Sequence, residues 1–191
     1  MSERQRVFLG IDPGDDARHA LAAFLEDHLD GAVIPGRVVP PRNWHVTLRF
    51  LGSTESVQLD RVVGLIGARL VDEDPFRMSF DGLGAFPRPE RATVLWLGVG
   101  RGAEAAAALA TICEESAQHV GFAAEDRPFH PHLTLARIRP QQRVSELIES
   151  IGVVPATQVV DHVTVYRSAT GRGGAEYTIL DRLPIGADAR V

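Results

Sequence analysis

The chain has 191 residues, 45% of them hydrophobic and 24% charged, and a net charge of −5. This suits a single globular domain over 1–191 with a real hydrophobic interior, and it excludes both a coat protein held to nucleic acid by a broad basic surface and a helix that crosses a bilayer. All 20 basic residues are arginine, so no P-loop lysine, lysine Schiff base or lysyl-nucleotide intermediate can operate, and the lone Cys113 excludes an intrachain disulfide.

Arg6–Ile11 reads as a strand, and Asp12-Pro13-Gly14 turns it into a helix over about residues 15–29, with Ala20, Leu21, Phe24, Leu25 and Leu29 at helical spacing. A Gly/Pro-punctuated connection, Gly31–Pro41, holds a short strand at Val38-Val39. A strand over Trp44–Leu51 follows, then an amphipathic helix over Glu55–Leu70 with Leu59, Val62, Val63, Ile66 and Leu70 inside. Strands are expected at Phe76–Leu83 and Thr93–Val99, then an Ala-rich helix over Ala103–Val120 closed by Gly121. A strand over Pro131–Ile138, a short helix near 142–151 and strands near Thr157–Arg167 and Glu176–Leu180 complete the order. Helices interrupting runs of strands point to an α+β fold with antiparallel pairing. The first residues, MSERQRVFLGID, lack the apolar stretch of a signal peptide, and with the single cysteine this gives an expected cytoplasmic location. Nothing in the sequence demands a protein partner, and a monomer is expected.

The tetrapeptide His-x-Thr-Leu occurs twice, as His45-Val46-Thr47-Leu48 and as His132-Leu133-Thr134-Leu135, each within an alternating run. Side chains two apart on a strand share a face. Trp44, Val46, Leu48 and Phe50 therefore pack inward, while His45, Thr47 and Arg49 look outward or into a cleft. In the second strand Phe129, Pro131, Leu133 and Leu135 alternate with His130, His132 and Thr134. Two imidazoles and two hydroxyls brought together make a metal-free site for phosphoester chemistry. Opening a cyclic phosphodiester takes a proton from water and gives one to the departing ribose oxygen, and histidine can do either near neutral pH. Threonine hydroxyls and a forked arginine can stabilise charge on the non-bridging oxygens. Arg137 follows His132 by five residues, so strict parity puts it on the opposite face and only a strand end or bulge would bring it round.

The segments Pro41–Leu48 and Phe129–Arg137 resemble the two signatures of the 2H phosphoesterase superfamily, most of all its bacterial and archaeal RNA 2',3'-cyclic phosphodiesterases, also called 2'-5' RNA ligases. Arg6–Gly10, Phe50-Leu51-Gly52, Val94–Gly98 and Val165–Ser168 resemble other strands of that family, so the likeness covers most of the chain. The resemblance implies a bilobal α+β fold in which two antiparallel sheets flank a central cleft with pseudo-twofold symmetry and helices outside. It implies no cofactor and no metal, RNA ends or nucleotides bearing a 2',3'-cyclic phosphate as partners, and no membrane. It implies His45 as proton donor to the leaving O3', His132 as base for water, and Thr47, Thr134 and Arg137 at the phosphate. Arg49 stands where a small residue is expected.

Rival readings remain at this level. His130-Pro131-His132 could be two zinc ligands, but no third or fourth ligand stands nearby in sequence. Cys113 lies among helical Ala and Ile positions that suit a small buried residue rather than a nucleophile. A third His-x-Thr, at His162, lacks the leucine and is read as coincidence. The same residues would also serve an ATP-independent 2'-5' ligation, an ADP-ribose 1'',2''-cyclic phosphodiesterase, or a non-catalytic module that binds RNA ends.

Overall fold

The structure is a computed structural model that describes residues 4–28, 34–151, 153–171 and 174–186. The chain runs β1 (Arg4–Ile11), α1 (Gly14–His28), β2 (Arg37–Val38), a 3-10 turn (Pro41–Asn43), β3 (Val46–Glu55), α2 (Ser56–Leu70), β4 (Phe76–Phe86), β5 (Ala92–Val99), α3 (Ala103–His119), β6 (His132–Gln142), α4 (Ser145–Glu149), β7 (Val153–Val160), β8 (His162–Gly171) and β9 (Gly174–Pro184). Leu29 and the Gly31–Val33 part of the following connection lie outside the described residues. The strand expected over Thr157–Arg167 is two, because the chain turns at Asp161 between β7 and β8.

All strand pairs are antiparallel, in the order β7-β4-β5-β6-β3-β1-β8-β9, with β2 added beside β6. The two expected sheets are the wings of this one curled sheet. One wing is β7-β4-β5-β6 and the other is β3-β1-β8-β9, and β3 and β6 share a single register pair, Val46 with Leu133.

The helices cross between wings. α1 leaves β1 of one wing and packs on β7 of the other, whereas α3 leaves β5 and packs on β3 and α2. Their apolar stripes bury Leu21 and Leu25 from α1, Val62, Ile66 and Leu70 from α2, and Leu109, Ile112 and Cys113 from α3. The opposing sheet residues Val7, Leu9, Leu48, Leu95, Leu97 and Leu135 complete one continuous core. At the end of α3, Gly121 takes φ +97° and the Phe122 amide reaches back to the Ala117 carbonyl at 3.1 Å, a Schellman closure that only a residue at ease in the left-handed region permits. Among the described residues no helix is long and apolar enough to cross a membrane.

Bulges break the strict alternation at both motif strands. Gly10 pairs with Thr47 but Leu9 pairs with Arg49, so Leu48 is an extra residue in β3. The parity reading that sent Arg49 toward the cleft is therefore wrong. Beyond the bulge Arg49 turns to the helix side, is 6% exposed, and meets Glu114 of α3 and, at 2.7 Å, Glu125, while donating to the Ala123 carbonyl. Its bulk does not enter the cleft. It fastens the strand of the first motif to the segment leading toward the second. Replacing Arg49 by Met strips Glu114 and Glu125 of their countercharge, and because both carboxylates keep some solvent the expected loss is about 2 kcal/mol, read from the midpoint of urea unfolding at unchanged m-value.

Candidate active site

His45 and His132 sit at the inner ends of β3 and β6, immediately ahead of the Val46–Leu133 pair that joins the wings. Both rings are held alike. Nδ1 of His45 lies 2.8 Å from the Asn43 carbonyl, and Nδ1 of His132 lies 2.7 Å from the His130 carbonyl. A carbonyl oxygen can only accept, so each Nδ1 carries hydrogen, and in the neutral ring Nε2 keeps the lone pair free for the cleft. The turn ahead of His45 is itself tied down, since buried Asn43 donates its side-chain amide to the Ala175 carbonyl at 2.7 Å.

Each imidazole stands in an aromatic wall. His45 packs on Phe8 at a centroid distance of 4.7 Å and meets the edge of Tyr177 at 5.1 Å and Tyr166 at 5.7 Å. His132 meets Phe86 edge-on at 5.1 Å, Trp96 at 6.0 Å and His130 at 6.2 Å. This packing disfavours the charged rings. Burial, then the positive charges of Arg137 and His132, push His45 down to about 4 against the pull of the Asn43 carbonyl and of Asp12. His132 is lowered as well, first by burial and then by His130 and Arg137. Both histidines are therefore neutral at pH 7 in the free protein.

The remaining predicted residues converge here. Thr47 and Thr134 each follow their histidine by two residues and are half-buried, Thr47 beside Gly10 and Thr134 beside Trp96. Arg137 reaches the same face through the kind of irregularity that strict alternation required. Trp96 pairs with Thr134 while Leu95 pairs with Ala136, so Leu135 is an extra residue and Arg137 comes round. Its charge acts on both histidines.

The matching bulge at Leu48 brings Phe50 round in the other wing. Phe50 stands five residues after His45 as Arg137 stands five after His132, and its ring is 52% exposed at 5.6 Å from Phe8. Sequence reasoning placed Phe50 in the core; the repeat itself held the signal, because the two offsets are equal. Phe8, Tyr166 and Tyr177 come from distant strands and carry no local mark.

His162 stands apart on the outer end of β8, bonded through Nδ1 to Asp161 at 2.5 Å. Cys113 is fully buried, which pushes its thiol up to about 12 and removes it as a nucleophile. Among the described residues no group of three His, Cys, Asp or Glu is placed to hold a metal ion.

Gly10 is the hinge of this arrangement. A Cβ there would stand 2.9 Å from the Val46 carbonyl oxygen, between the strand that carries His45 and the ring of Tyr166. Gly10→Ala is expected to lower turnover at least about tenfold, since displacements well under 1 Å misalign catalytic groups, while the far-ultraviolet circular dichroism spectrum stays that of the wild type.

The chain is similar to known proteins along nearly its full length. A family model described as the 2'-5' RNA ligase superfamily matches residues 37–172. The RNA 2',3'-cyclic phosphodiesterase of Aeropyrum pernix is 33% identical over 175 residues, covering 88% of this chain and 97% of that protein. The protein of the same name from Escherichia coli is 30% identical over 186 residues, covering 95% and 97%. The crystal structure of apo E. coli LigT superimposes with a TM-score of 0.79 at 29% identity over 97% of this chain and 99% of that one, and the complex of LigT with 3'-AMP gives 0.77 at 28% over 96% and 99%.

Proposed function

The chain belongs to the 2'-5' RNA ligase superfamily, and on that premise we propose that it is an RNA 2',3'-cyclic phosphodiesterase that opens the terminal ring to a 2'-phosphomonoester by paired histidine catalysis without a metal. The observation that carries the reading is the junction itself. Two imidazoles with free Nε2 atoms flank one strand pair, two hydroxyls stand one step away, and a single guanidinium acts on both rings.

The asymmetry between the wings supports the assignment of roles. An exposed aromatic face suits a nucleobase and a guanidinium suits phosphate oxygens. With the base on Phe50, the ribose lies beside His45 and the phosphate faces Arg137 and His132. Water held by His132 loses a proton to Nε2 and attacks phosphorus. The P–O3' bond breaks, and His45 delivers its proton to O3', leaving the phosphate on O2'. Thr47, Thr134 and Arg137 stabilise the charge that gathers on the non-bridging oxygens. Arg137 beside both imidazoles also makes the centre hostile to a divalent cation and does itself what a metal would do for the phosphate.

The pH dependence follows from the burial of the rings. As base, His132 must be neutral and, as acid, His45 must be protonated; both values lie below the ordinary imidazole range, that of His45 near 4, and the lower of the two marks the rising limb of the profile and the higher the falling one. In kcat/KM, which reports the free enzyme, both limbs of the bell are expected below pH 6.5, acidward of the limbs near neutrality that unperturbed histidines would give. The bound anion stabilises both imidazolium forms, so the kcat profile shifts to higher pH. A kcat/KM profile with both limbs above 6.5 would sink the assignment.

Single substitutions His45→Ala and His132→Ala are each expected to cost at least about 100-fold in kcat with a chain-terminal 2',3'-cyclic phosphate, with EDTA leaving wild-type activity intact. Turnover surviving the double substitution, or release of the 3'-phosphate, would overturn the mechanism. Retained affinity without wild-type turnover would mark a binding module instead. Phe50→Ala is expected to raise KM about tenfold through lost base stacking, measured with adenosine 2',3'-cyclic phosphate.

A further inference from the structure

The strand register lays the concave face of the β3-β1-β8-β9 wing out in cross-strand rows. The first row is Thr47, Gly10 and Thr164, beside His45. The second is Phe50, Phe8 and Tyr166, the aromatic row. The third is Ser53, Arg6, Ser168 and Tyr177. β1 runs through all three without a break, so Arg6, Phe8 and Gly10 point the same way, and Tyr177 proves the face by touching Phe8 at 5.0 Å. Arg6 is exposed, and among the described residues it makes no hydrogen bond or ion pair. The next row out is already neutral, because Arg4 holds Glu55 at 2.7 Å. Arg6 is thus an uncommitted cation flanked by two hydroxyls, one row beyond the aromatic platform, about 7 Å along the strand from Phe8.

Resting on the reading of the site given above, we propose that Arg6, with Ser53 and Ser168, is the subsite for the phosphodiester on the 5' side of the terminal nucleoside, so that the enzyme is built for the end of an RNA chain rather than for a free cyclic mononucleotide. The order of the rows matches the order of parts in such a substrate. The cyclic phosphate lies at the histidines and the base on Phe50. The C5' arm leaves the ribose away from its 2',3' edge, which directs the next phosphate over Phe8 toward Arg6. A guanidinium and two hydroxyls suit a phosphodiester monoanion, and they read no base. With an overall charge of −5 the protein as a whole does not attract RNA, so one placed cation matters more than it would on a basic protein.

The test compares adenosine 2',3'-cyclic phosphate with a tetranucleotide ending in the same group, for the wild type, Arg6→Gln and Arg167→Gln. Arg167 pairs with Val7 and so projects from the opposite face of the sheet. The wild type is expected to favour the tetranucleotide in kcat/KM. Arg6→Gln is expected to lower the tetranucleotide-to-mononucleotide ratio about fivefold and to reduce the slope of log(kcat/KM) against log[salt] on the tetranucleotide by about 0.7, the loss of one single-strand phosphate contact. Arg167→Gln should keep the wild-type ratio. An active wild type whose ratio is the same in Arg6→Gln, or an equal drop in ratio for Arg167→Gln, overturns the subsite alone. A wild type inert on both substrates overturns the proposed function and the subsite with it.

Discussion

Val46 and Leu133 face each other where the two wings of the sheet come together, and the residue ahead of each is a histidine. That backbone pair joins the two wings beside both histidines. Because β3 and β6 share no further register pair, each strand leaves the junction with its own twist, and the concave faces open into a cleft instead of flattening into one sheet. The crossing of α1 and α3 between wings, and the ion pairs of Arg49 to Glu114 and Glu125, supply the restraint that a single pair cannot.

The duplicated strands are alike where chemistry needs symmetry and different where it needs direction. Both histidines donate Nδ1–H to the carbonyl two residues back, both threonines follow by two, and both strands bulge at the leucine after the threonine. The bulges then expose unlike residues, Phe50 in one wing and Arg137 in the other. In the proposed mechanism similar imidazoles approach phosphorus from two sides, while the unlike wings give the nucleotide one orientation, with its base toward the aromatic wing and its charge toward the arginine.

Burial sets the proton inventory. Aromatic walls and the nearby guanidinium keep both rings neutral in the free protein, which suits a base but not an acid. In the proposed mechanism the substrate's own negative charge favours protonating His45, so arrival of the phosphate and arming of the acid become one electrostatic event. Asp12, whose charge draws the proton toward His45, is kept in place by Arg18 behind the catalytic row.

Local sequence determined the elements, because apolar periodicity and capping act within a few residues: α2, α3, β4 and β5 fall close to where the pattern puts them. It also singled out His45 and His132 as the candidate pair, because a repeated His-x-Thr-Leu on alternating strands is legible without knowing what those strands pair with. What it did not determine was anything resting on register. A bulge is decided by the neighbouring strand, and one extra residue at Leu48 sent Arg49 to the helices and Phe50 to the cleft, while the one at Leu135 put Arg137 among the site residues. Likewise the rings around His45 come from β1, β8 and β9, strands brought together only by pairing across most of the chain. The acidward shift of the histidines, the placing of the aromatic and arginine side chains around them and the row that ends in Arg6 all depend on those long-range neighbours, which is why only the tertiary structure decided them.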